Sequence, residues 1–74
     1  MLLKELQTKD VVNVVNGNKL GKITDIEIDF DSGKIIEFTV SKNKYFFGIG
    51  NDQLKISWDK IVKLGGEVII VNYN

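Results

Sequence analysis

Four carboxylates recur at alternate positions in one stretch of this chain: Asp25, Glu27, Asp29 and Asp31. Oxygen donors of this kind hold hard cations, and Asp29-x-Asp31-x-Gly33 has the spacing with which a calcium loop begins. Such a loop needs a bidentate Glu at its twelfth position, and here that position is Val40. In a strand, alternate residues share a face. The four acids therefore read as the solvated face of one strand. Gly48-x-Gly50 supplies two glycines of a dinucleotide turn, but Gln53 replaces the third and no helical pattern follows. Trp58 is an aromatic able to stack on a ligand. Its phase with Leu54 and Ile56 reads as core, with the indole N–H needing one partner.

The chain has no Cys and no His. That removes disulfides, thiolate nucleophiles, the usual zinc sites and the commonest general base. No carboxylate is paired with a nucleophile or a cofactor motif, so the expectation is a non-enzyme with no catalytic residue, no metal and no cofactor. All ten basic residues are Lys, and ten Asp and Glu bring the net charge to zero. Without Arg there is no fork to grip phosphate or guanine. Without a basic excess there is no field to draw in nucleic acid. Direct nucleic-acid binding is not expected.

The elements that must position these residues are short strands. Asn16-Gly17-Asn18 and Asp31-Ser32-Gly33-Lys34 each divide β-branched, alternating runs, which is the pattern of consecutive hairpins. Residues 2 to 9 suit one short helical turn. The first strand begins at Val11, and the second runs from about Leu20 to Phe30 with Ile26, Ile28 and Phe30 in one phase. Ile23 is out of that phase, and Gly21 beside it suits a bulge or a sharp bend. Ile36, Phe38 and Val40 alternate in the third strand; Leu54, Ile56 and Trp58 restart the chain after an irregular segment. Asp59 suits the cap of a single turn before Ile61. Gly65-Gly66 marks a last hairpin, and residues 67 to 72 form the closing strand. The expected core is Val12, Val14, Ile26, Ile28, Phe30, Ile36, Phe38, Val40, Leu54, Ile56 and Trp58, by common phase.

At 74 residues this is one domain, spanning 1–74. A domain so small buries only about 60% of its unfolded surface. No apolar run of membrane-spanning length occurs, and the start is charged too early for a signal peptide, so the expectation is a cytoplasmic protein without membrane insertion. Three of the seven aromatic residues, Tyr45, Phe46 and Phe47, fall with Ile49 in the segment 42 to 53. Loop residues are normally exposed, and an exposed apolar patch marks an interaction site. The competing reading is a flap that belongs to the core. The closing strand is apolar in both phases, with Ile69 and Val71 on the nominal outer face. A second copy covering that face predicts a homodimer; the N-terminal leucines folding back over it are the alternative.

The segment Gly17-Asn18-Lys19-Leu20-Gly21-Lys22-Ile23-Thr24-Asp25-Ile26, then Asp29 and Gly33-Lys34-Ile35, forms an ordered pattern. It runs turn, Gly-Lys-Ile, acidic residue, alternating strand. Ile56-Ser57-Trp58-Asp59-Lys60-Ile61 and Gly66-Glu67-Val68-Ile69-Ile70-Val71 follow in sequence. Over nearly its whole length the chain thus resembles the PRC-barrel family, and within it the stand-alone YlmC/YmxH-type proteins associated with sporulation in low-GC Gram-positive bacteria. Ser57 stands where the pattern has Pro before the Trp, a change that keeps an extended backbone and restores an N–H. The family also includes the cytoplasmic part of the photosynthetic reaction-centre H subunit and the C-terminal domain of the ribosome maturation factor RimM. The resemblance implies an all-β fold, a small PRC-type barrel of about six short antiparallel strands with one short helical turn. It implies a non-catalytic adaptor with a protein partner, tied to sporulation. The alternative is an accessory of ribosome assembly or RNA metabolism that docks on a protein, as RimM-like barrels do.

Overall fold

The structure, a computed structural model, describes residues 1–42 and 53–73. The chain runs α1 (Leu3–Thr8), β1 (Asp10–Asn13), β2 (Lys19–Ile28), β3 (Ile35–Ser41), β4 (Gln53–Ser57), a 3₁₀ turn (Trp58–Lys60), β5 (Ile61–Leu64) and β6 (Val68–Val71). The strands form one sheet in the order β4-β3-β2-β1-β6-β5. Its two outer strands, β4 and β5, are consecutive in the chain. Laid flat, five strand spacings would hold them about 24 Å apart. The steps from Ser57 to Ile61 reach at most about 14 Å. The sheet therefore curls into a small barrel with the core inside it.

The pairings are antiparallel except one. β1 lies parallel to β6, with Val11 opposite Ile69 and Asn13 opposite Val71. This departs from the all-antiparallel expectation. It follows from the curl, which brings the first and last strands together with the whole barrel as their crossover.

The parallel pair also sets which side chains face in. The core is Leu6, Val11, Ile23, Phe38, Val40, Ile56, Ile69 and Val71. Of the residues expected there, Phe38, Val40 and Ile56 are buried, while Val12, Ile26, Leu54 and Trp58 are half-buried. Val14, Ile28, Phe30 and Ile36 are exposed. In β1 the expected phase is reversed: Val11 and the polar Asn13 point inward. Burying Asn13 is tolerable because both polar atoms of its amide are hydrogen-bonded. It donates to the Tyr73 carbonyl at 2.6 Å and accepts from the Tyr73 and Val15 N–H groups at 3.1 and 3.2 Å.

Bulges account for the remaining phase errors. Leu20 and Thr24 are extra residues in β2, Ile36 in β3 and Val62 in β5, each skipped by the partner's register. The one at Thr24 puts Ile23 and Ile26, three apart, on the same inner face, as the out-of-phase Ile23 suggested. Gly21, opposite Val11, takes φ +135° where β2 passes the backbone of Ser41.

The first two turns form as expected, with Gly17 and Gly33 at φ +72° and +73°; the last differs, since residues 65–67 join β5 to β6 and neither Gly65 nor Gly66 has a positive φ. Asp59 does not cap the single turn. It lies within the 3₁₀ turn, whose cap position is Ser57. Trp58 packs edge-on against Phe38, ring centroids 6.1 Å apart. Leu6 docks α1 on the core. Lys9, also buried, donates from Nζ to the Gly66 carbonyl and so pins the helix exit to the β5–β6 turn.

Candidate functional site

The surface feature that stands out is the outer half of the β2–β3 hairpin, an arm from Asp25 to Glu37. At its tip the ring of Phe30 is 99% exposed. A local network stiffens the turn that carries it. Asp29 N–H donates to the Lys34 carbonyl and Gly33 N–H to the Asp29 carbonyl, both at 2.7 Å. The Asp29 carboxylate accepts from the Ser32 hydroxyl at 2.9 Å and from the Asp31 N–H at 3.3 Å. Asp29 is thus committed to holding the turn. Among the described residues no group of three or more His, Cys, Asp or Glu is placed to hold a metal ion.

Below the tip, the inner face of the arm continues past the end of the closed core. There it forms a groove of about 350 Å³ with α1. Leu3 and Leu6 line the helix side, Ile26, Ile28 and Ile35 the strand side, and Asp25 the edge. Ile28 is 58% exposed in it. Ile28 pairs with Ile35, so both keep the inner phase after the bulge at Ile36, and among the described residues it is α1 that lines the groove with them. On the outer face, Glu27 stands directly across from Glu37, a like-charge pair that costs stability.

The residues singled out in the sequence fare differently. Ile69 and Val71 are at 0% exposure inside the barrel, so their place among the interaction candidates is corrected. Their register with Val11 and Asn13 turns the nominal outer phase inward. The half-buried residues of β6 are Val68 and Ile70. Tyr45, Phe46, Phe47 and Ile49, together with Gly48 and Gly50, lie outside the described residues. Of the N-terminal leucines expected to fold over the closing strand, Leu6 is buried in the core with α1 packed on β2, while Leu2 and Leu3 are exposed.

Phe30 and Ile28 continue the phase of Ile26, and alternation alone therefore places them in the core. The contrary signal was in the sequence. Phe30 lies between Asp29 and Asp31, within the turn that Gly33 closes. A residue inside a tight turn has left the sheet and cannot reach its interior.

A curled six-stranded sheet with parallel first and last strands, capped by a short helix, is the architecture onto which the sequence pattern maps. The chain belongs to the PRC-barrel family: the PRC-barrel domain matches residues 1–74. Among individual proteins it is similar to "Probable sporulation protein YlmC" of Bacillus subtilis (strain 168), with 47% identity over 72 residues covering 93% of this chain and 88% of that protein. An uncharacterized protein of Clostridium acetobutylicum is 35% identical over 72 residues, covering 95% of this chain and 82% of its own length. "Uncharacterized protein YmxH" of Bacillus subtilis is 32% identical over 77 residues, covering 97% and 88%. None of these three names carries a catalytic activity. Among the described residues no helix is long and apolar enough to cross a membrane.

Proposed function

We propose that this chain is a cytoplasmic, non-catalytic adaptor that docks on a protein partner and serves sporulation. The observation that carries the docking role is the arm. A fully exposed aromatic on a braced turn, next to an open apolar groove, is surface that water disfavours and that a partner would cover. The sporulation link comes from the relative named as a sporulation protein, at 47% identity over almost the whole of both chains. The absence of Cys, His and Arg supports a non-catalytic role without direct RNA contact.

The test is affinity capture with the tagged chain, expressed in Bacillus subtilis in place of YlmC, from sporulating and vegetative cells. A specific partner from the sporulation or envelope machinery is the expected result. Recovery of ribosomal proteins in both conditions would move the chain to ribosome assembly instead. Recovery of nothing beyond an untagged control would overturn the adaptor reading. Self-association belongs to the same proposal, now without the closing strand as its surface. Sedimentation at micromolar concentration checks it, and a clean 8.4 kDa species excludes a stable homodimer.

A further inference from the structure

The arm carries an unbalanced charge. Residues 25–37 hold five carboxylates, Asp25, Glu27, Asp29, Asp31 and Glu37, against the single Lys34, a net of −4. The whole chain is neutral, so the remainder carries +4. Asp25 stands at the edge of the groove, and Asp29 and Asp31 flank Phe30 at the tip. Glu27 and Glu37 lie on the back of the same two strands, about one strand spacing apart. Glu27 and Glu37 share that outer face with Lys55; with a screening length of about 8 Å at physiological salt, neighbouring carboxylates reinforce one another while the base and the tip of the arm act separately.

We propose that the groove between α1 and the β2–β3 arm receives a basic amphipathic helix of a partner protein. The apolar stripe of that helix lies against Leu3, Leu6, Ile26, Ile28 and Ile35. Its lysines or arginines face Asp25 at the groove edge and Asp29 and Asp31 at the tip, and Phe30 packs against it as the anchor at one end. The groove has the form that helix-in-groove recognition uses, an apolar floor that takes anchors spaced one helical turn apart. The charge selects the partner's sign: a helix with an acidic polar face meets repulsion from Asp25, Asp29 and Asp31, and a basic one is drawn in. A second copy docked arm to arm would set two −4 segments side by side, which disfavours self-occupation.

This proposal rests on the adaptor reading and narrows it to one surface and one class of partner. Two synthetic peptides of about 18 residues, roughly five helical turns, serve as probes. One carries a Leu stripe with a Lys face; the other has the same pattern with Glu. Binding to the full chain is followed by anisotropy of a label on the peptide. The expected result is binding of the Leu/Lys peptide that weakens with added salt, with no binding of the Leu/Glu peptide. Phe30→Ser, which leaves the charge unchanged at a fully exposed site, should weaken binding by about tenfold or more, as loss of an aromatic anchor commonly does. Asp31→Lys should weaken it further and flatten the salt response.

Equal binding of both peptides would overturn the proposal. So would absence of binding, or binding untouched by Phe30→Ser, which would mean attraction by charge alone. A dimer of the chain by itself that Ile28→Ser dissolves would assign the groove to a second copy and overturn it too. If the cellular partner is captured equally by the Phe30→Ser chain, the adaptor reading stands while the assignment to this groove falls.

Discussion

Replacing Gly21, within β2, with Ala is expected to be far more damaging than the same change at the turn glycines Gly17 and Gly33. A Cβ at Gly21 would lie 2.4 Å from the Ser41 carbonyl oxygen, 2.6 Å from its carbon and 2.9 Å from the Lys42 nitrogen. All three are backbone atoms, so no rotamer change relieves them. The φ of +135° adds a conformational cost of about 1–3 kcal/mol for a residue with a side chain. Forcing a methyl into packed surroundings adds about 1–3 kcal/mol. The total is about 2–6 kcal/mol, against roughly 4–11 kcal/mol for a domain of this length. Gly17→Ala is the matched control. Its φ is +72°, but nothing lies within 4 Å of the added methyl, so only the backbone cost of about 1–2 kcal/mol applies. Urea titrations read by Trp58, the one tryptophan of the chain, report both. Its ring lies against Phe38 and loses that packing on unfolding. If Gly21→Ala falls within about 0.5 kcal/mol of Gly17→Ala, near the noise of such comparisons, the close approach of β2 to Ser41 does not exist in solution and the corner described above is wrong.

Phe38→Ala should cost about 3–5 kcal/mol, because the ring is 1% exposed, and it should shift Trp58 emission in the folded state through loss of the edge contact. Asn13→Ala strips two acceptor contacts and one donor contact from the buried amide and should cost about 1–3 kcal/mol; hydrogen exchange at the Tyr73 amide should speed up, and an unchanged rate there would refute the clamp. Glu37→Lys turns a cross-strand repulsion with Glu27 into an attraction, and should stabilise by about 0.2–1 kcal/mol at low salt with the gain shrinking as salt is added. A gain that ignores salt would assign the effect to something other than the charge pair.

The strands and turns were legible in the residues. Gly17 and Gly33 mark positive-φ turns because only a residue without Cβ enters that region freely. Phe38, Val40 and Ile56 were legible as core because each sits in a clean alternation. The shift of Ile23 out of phase, with Gly21 beside it, pointed correctly to irregularity in β2. The arm is not legible in the residues for an equally local reason: Ile28 and Phe30 have the right phase, but phase says which way a side chain points and not whether any wall stands opposite it.

By itself the sequence determined a small all-β barrel of the PRC type, a chain without the His and Cys of imidazole and thiol chemistry, and the positions of its first two turns. Those follow from local sterics and from residue chemistry. Only the tertiary structure decided the inward face of β1 and β6. Val11, Val12, Val14 and Val15 are apolar in both phases, as are Val68, Ile69, Ile70 and Val71, so alternation carries no information there. The choice falls to the parallel pairing of the first strand with the last, which puts Val11 with Ile69 and Asn13 with Val71 on the inside. That contact joins residues nearly sixty positions apart. It exists because a short turn at Trp58 forces the edges of the sheet together, and the same closure leaves the arm of Ile28 and Phe30 projecting beyond the core.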